Sequence, residues 1–205
     1  MNSSVFASET SWRARRFRLL GLLPLLFFLA RVIEYVIIAK TPEQILWSCH
    51  ISNLLLAVGL FAAQPWLIRL AAFWQLIGLP LWAMDMALTG LVTTVSVFSH
   101  LGGVAVSLYA LRQVRAARGS WVPALVFFLV LQQLTRWLTA PTPYSNVNVA
   151  HFAYGPWQHW FVSYGSYWLA NTALAIVSLW LIEFILLCVF PPATTPKTTP
   201  VTKSL

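Results

Sequence analysis

About six apolar runs, each close to the roughly twenty residues that carry a helix across a bilayer core, limit what this chain can fold into. They are read as helices over 17–38, 44–63, 66–84, 91–111, 120–138 and 166–190. The connections between them are short, so no stretch remains for a separate soluble domain. Of the 205 residues 59% are hydrophobic and only 9% charged, too little charge to cover the surface of a soluble fold. The expectation is an all-α, polytopic membrane helix bundle over 17–190, flanked by a basic tail at 1–16 and a Pro- and Thr-rich, low-complexity tail at 191–205. Arg13, Arg15, Arg16 and Arg18 precede the first apolar run much as the basic start of a signal peptide would. That run is longer than a signal core and no small-x-small cleavage site follows it, so it reads as a retained first helix.

The formal charge of +8 does not point to nucleic acid, because the basic residues gather between apolar runs where anionic headgroups would meet them. With the N-terminus in the cytoplasm, the inner segments hold Arg13, Arg15, Arg16, Arg18, Arg69, Arg112, Arg115, Arg118, Lys197 and Lys203, and the outer loops hold only Lys40. Six crossings with a cytoplasmic N-terminus fit this pattern; an odd number would break it. The compact chain with short loops fits a bacterial inner membrane. The longest connection, 139–165, is rich in Pro, Tyr, Trp, Asn and His, a composition suited to the membrane interface or to dipping back between helices. No internal repeat is visible, which argues against a transporter built from inverted halves.

Ionisable residues inside membrane helices are costly and mark function by default. Most of them fall in the outer half on this topology. Arg31 and Glu34 lie near the outer end of helix 1, Cys49, His50 and Asn53 begin helix 2, Asp85 ends helix 3, and Arg136 ends helix 5. Asn148, His151 and His159 lie in the long outer segment, His100 comes about 15 Å into helix 4, and Glu183 alone lies toward the inner side. The pattern predicts a polar cavity open to the outer leaflet. A structural alternative pairs Arg31 with Glu34 at i,i+3 and Arg136 with Asp85 across helices. Thr93, Ser96, His100, Gly103 and Ser107 share one face of helix 4, where small residues admit a neighbouring helix. His100 is then either a general base beside a nucleophile or a histidine bonded inside a tight contact. The two cysteines, Cys49 and Cys188, fall toward opposite faces and are not expected to pair. The four histidines have no metal-ligand spacing, so neither a metal nor a cofactor is expected. There is no G-x-S-x-G elbow, Walker A loop, H-E-x-x-H or dinucleotide fingerprint.

Three segments, in order, resemble the YwaF / transmembrane protein 164 family of integral membrane proteins. Residues 47–53, WSCHISN, are similar to its His-x-Cys-Asp-Ile pattern; 70–78, LAAFWQLIG, with Asp85, to its Phe-Trp-Gly segment ending in aspartate; and 97–100, VFSH, to its Phe-Phe-x-x-His segment. Asn146, Asn148, Tyr167 and Trp168 also fit, and the likeness covers about residues 44–190. Trp47 and His50 stand where the family has histidine and aspartate. That family is in turn similar to the androgen-induced lipid hydrolases, which work within the membrane. The resemblance implies acyl chemistry on membrane lipids, with Cys49 as nucleophile, His100 as its partner, and His50, Asn53, Asp85, Arg136, Asn148 and His151 lining or supporting the site. A thiolate would attack an acyl ester and pass the acyl group to another lipid or to water. The alternative from another class is a non-enzymatic membrane protein: a small-solute or proton carrier using Glu34, Asp85, Arg136 and the histidines, or a scaffold.

Overall fold

The computed structural model describes residues 14–153 and 155–192; most of both expected tails, 1–13 and 193–205, lies outside them. Six main helices follow in order: α1 (Arg15–Ile38), α2 (Ser48–Phe61), α3 (Pro65–Thr89), α4 (Thr94–Val114), α5 (Trp121–Leu138) and α6 (Tyr164–Val189). No strand forms among the described residues. All but α2 are long and apolar enough to cross a membrane, whereas α2 has 14 residues. Large apolar side chains such as Leu26 (59%), Val130 (63%) and Leu174 (65%) stand exposed, as befits helices whose solvent is lipid.

Several helix ends differ from the sequence expectation. The second helix was expected from 44, yet Pro42–Leu46 form a 3-10 turn, Trp47 is extended (φ −53°, ψ 133°), and α2 begins only at Ser48. Helix α3 does not end at Asp85. It carries Pro80 inside and runs on to Thr89, where Gly90 takes the left-handed conformation (φ 68°) that stops helices. Helix α4 starts at Thr94 rather than 91, because the Thr93 hydroxyl caps it by accepting from the Ser96 N–H at 3.1 Å. Consequently His100 lies only about 9 Å into its helix and not about 15 Å. In the 139–165 segment two 3-10 turns form, Val147–Val149 and Gly155–Trp160, before Ser163 opens α6 with a capping box to Ser166.

Contacts between helix ends show that the chain runs up and down. At one end Arg18 Nε donates to the Phe61 carbonyl, Arg69 donates to the Val114 and Arg115 carbonyls, and the Ala116 N–H donates to Phe190 O. At the other, the Ser48 N–H donates to Asn148 Oδ1 and Gln133 Nε2 to Tyr164 Oη. The first end is basic. The apolar core lies in the same half. One cluster joins Phe73, Trp74, Leu111, Phe128, Leu179 and Leu186 of α3, α4, α5 and α6, with the Trp74 ring stacked on Phe128 at 4.6 Å. Another joins Phe17, Leu56, Leu60, Ile68, Val106 and Ala110 of α1, α2, α3 and α4. The opposite half is where the polar side chains meet.

Candidate functional site

The site is built on two helical turns wider than α-helix, with i→i+5 bonding. In α1 the wide turn spans Ile33–Ile38, just after Arg31; in α4 it spans Phe98–Gly102 and contains His100. Such turns recur at functional sites because they displace one side chain from the regular helical stripe. Gly102 and Gly103 let α4 come close to its neighbours. A Cβ on Gly102 would stand 2.6 Å from the Phe27 ring, and one on Gly103 would stand 2.6 Å from Gln75 Oε1 and 2.8 Å from Asn53 Oδ1.

Arg31 is buried, at 4% exposure. Its guanidinium donates to the Glu34 carboxylate and the Tyr35 hydroxyl, and its Nε donates to His50 Nε2 at 3.4 Å. The expected Arg31–Glu34 pair is therefore present. Arginine only donates, so His50 Nε2 acts as acceptor, and the neutral ring then carries its proton on Nδ1. That Nδ1 stands 3.7 Å from Cys49 Sγ. The His50 ring in turn meets the His100 ring edge-on, 5.9 Å between centroids.

His100 has a fixed tautomer too. Its Nδ1 donates to the Ser96 carbonyl at 2.9 Å, which leaves Nε2 as the basic nitrogen. Trp82 lies parallel to the ring at 4.8 Å and donates its Nε1–H to Ser96 Oγ at 2.7 Å, so ring and helix are held together. The peptide around Cys49 is held as well. Its carbonyl accepts from Asn53 Nδ2 and Gln75 Nε2, both at 3.3 Å, and Asn53 Nδ2 also reaches Ser99 O. Cys49 is half-buried, and Gly78 of α3 packs on its Cβ.

Cys49, His50, Asn53 and His100 thus come together, with the His50 ring as the thiol's neighbour. Asp85 lies one turn beyond Trp82 on α3, exposed. Asn148 supports the site from outside: Oδ1 accepts from Ser48 N–H at 2.7 Å, and Nδ2 donates to Leu46 O and Thr135 Oγ1 at 2.7 and 3.1 Å. It does so from the left-handed region (φ 54°), as does the β-branched Val149 (φ 47°), a local strain of about 1–3 kcal/mol per residue that the hydrogen bonds offset. Arg136 does not reach into the cluster; its guanidinium lies over the Tyr164 ring, 3.2 Å from the centroid. His151 stands apart, its Nε2 donating to Thr139 Oγ1 at 2.9 Å. Burial and then the Arg136 charge lower its pKa below the ordinary 6.5, against a raising contribution from Thr139. His159 packs on Trp160. Glu183 serves α5, accepting from the Gly119 and Trp121 N–H groups at 2.9 and 3.0 Å.

Tyr35 and Trp82 were not singled out from the sequence, Gln75 entered only within the 70–78 segment, and Ser96 only as a small residue on the face of α4. A carboxamide such as Gln75 in the middle of an apolar run was the available signal. Comparison with models of protein families, with curated proteins and with solved structures finds no match for the chain.

Proposed function

We propose that the chain is a six-span membrane protein of the bacterial inner membrane, N-terminus in the cytoplasm, of the YwaF-like kind, and that it is an intramembrane acyltransferase or hydrolase acting on lipids. The observation that carries this reading is Cys49 Sγ 3.7 Å from His50 Nδ1, with buried Arg31 on the other ring nitrogen and His100 against the ring. A thiol is inert until it loses its proton, so the sulfur needs a base within the cluster. His50 then stabilises the thiolate, and His100, with Nε2 free to accept, takes the thiol proton. The sulfur attacks the ester carbonyl carbon, an S–C bond forms, the C–O bond breaks, and the leaving alkoxide takes the proton from His100. An acceptor hydroxyl or water next gives its proton to Nε2 and attacks the thioester. The S–C bond breaks and the thiolate returns.

The test is intact-protein mass spectrometry after incubating purified wild type, Cys49→Ala and His100→Ala with mixed phospholipids. The expected result is an acyl-sized, hydroxylamine-labile adduct on wild type, absent from Cys49→Ala and formed about 10²–10⁴-fold more slowly by His100→Ala. A wild type that stays unmodified, with matching lipid profiles in cells with and without the protein, overturns the enzyme reading. The run Glu34–Arg31–His50–His100 then favours a proton carrier, to be assayed in liposomes.

A further inference from the structure

Four polar atoms on α5 and α6 are buried and have no hydrogen-bond partner: Gln132 Oε1, Trp168 Nε1, Asn171 Nδ2 and Thr172 Oγ1. Buried polar groups are almost always paired, so four on two helices require an explanation. They lie within about one helical turn in height: Gln132 about 9 Å from the end of α5, and Trp168, Asn171 and Thr172 about 6–12 Å from the start of α6. The Val149 carbonyl joins Gln132 of α5 to Tyr167 of α6, since it accepts from Gln132 Nε2 at 3.3 Å and from the Tyr167 hydroxyl. A carbonyl only accepts, so the Gln132 amide orientation is fixed with Oε1 turned away from it. On α6, Trp168 follows Tyr167, and Asn171 and Thr172 lie one turn further along the same face.

We propose that these four groups form a binding site for the uncharged glycerol ester of a membrane lipid, with at least one free hydroxyl. Indole and carboxamide N–H groups can only donate, so they call for an acceptor such as an ester carbonyl. Gln132 Oε1 can only accept, so it calls for a hydroxyl donor. Gln132, Trp168, Asn171 and Thr172 carry no charge, which fits a mono- or diacylglycerol and not a phosphate. One turn of chain links these groups to the start of α2: Val149 accepts from Gln132, and Asn148, one residue before it, accepts from the Ser48 N–H. The inference concerns binding and stands whether or not Cys49 reacts.

Native mass spectrometry of the detergent-purified Cys49→Ala protein tests binding apart from chemistry. The probes are 1-oleoylglycerol, the matching oleyl glycerol ether, methyl oleate and oleoyl lysophosphatidate. The ester with free hydroxyls is expected to bind best. The ether, lacking the carbonyl, and methyl oleate, lacking the hydroxyls, should each bind about tenfold more weakly, the loss of one net hydrogen bond. Asn171→Leu and the near-isosteric Thr172→Val should each weaken 1-oleoylglycerol about tenfold with helical content unchanged. Equal binding of the ester, the ether and methyl oleate, or undiminished binding by the folded Thr172→Val protein, overturns the proposal in favour of groups that hold only water. Preference for lysophosphatidate overturns the uncharged class.

Discussion

Arg31 is a cation removed from solvent, held by hydrogen bonds to Glu34, Tyr35 and His50. Taking away one partner of a buried ion pair leaves an uncompensated charge, at a cost of about 3–5 kcal/mol. Glu34→Leu should lower stability by about that amount in detergent, and the double variant Arg31→Leu/Glu34→Leu should recover most of it; a double variant no better than the single would show that the pair is not the unit. Asn148→Ala removes three hydrogen bonds at a left-handed residue and should cost about 2–4 kcal/mol by thermal unfolding. His151 gives a pH dependence. Its pKa is lowered in the folded chain, so the fold disfavours the protonated ring. The stability it supports is complete above the ordinary value of 6.5 and declines as pH falls through 6.5 toward the folded value. Thermal midpoints should therefore fall between about pH 7 and 5 in wild type and fall less in His151→Gln. Ionisable residues were legible in the sequence because charge inside an apolar run stands out. The buried carboxamides Gln75, Gln132 and Asn171 were equally visible, but a neutral side chain raises no alarm until its partners are known.

Helix ends show where local chemistry suffices and where it does not. Thr93 stops the extended stretch before α4 by its own hydroxyl, and Gly90 ends α3 by its φ; both signals are local. Asp85 misleads because an acid at a helix end is weakly unfavourable and not a stop. The cap of α5 comes from Glu183, 62 residues away from Trp121, and cannot be read from its own sequence. Glu183→Ala should cost about 1–2 kcal/mol and speed amide exchange at 121–124, while leaving exchange in α2 unchanged. The wide turn of α4 has the same origin. Gly102 and Gly103 permit it, but it is the Phe27 ring and the Gln75 and Asn53 amides that fill the space beside them.

Across the whole molecule the division is by height: an apolar, tightly packed half toward the basic end, and a polar half toward the other. That the chain is all helix, with long apolar helices, followed from hydropathy, because hydropathy is a sum over many residues; of the six expected spans, five are long and apolar enough to cross a membrane and α2 is shorter. The pairing of His50 with His100 did not, because it depends on the relative height of α2 and α4. Cysteines introduced in a Cys49→Ala/Cys188→Ser background check the orientation proposed above. Tyr144→Cys should react with a membrane-impermeant maleimide on intact cells, and Arg118→Cys only after permeabilisation; the reverse pattern would invert the protein. The wide turn in α4 has a further consequence, one of length. It holds one residue more than a regular helix needs, as an old insertion would. Deleting Leu101 would let α4 close into an ordinary helix, with everything before the deletion turned by about 100°. The bundle would keep its apolar half, while His100 would leave Trp82 and His50. One residue of surplus thus separates the apolar scaffold from the cluster that His100 shares with His50 and Trp82.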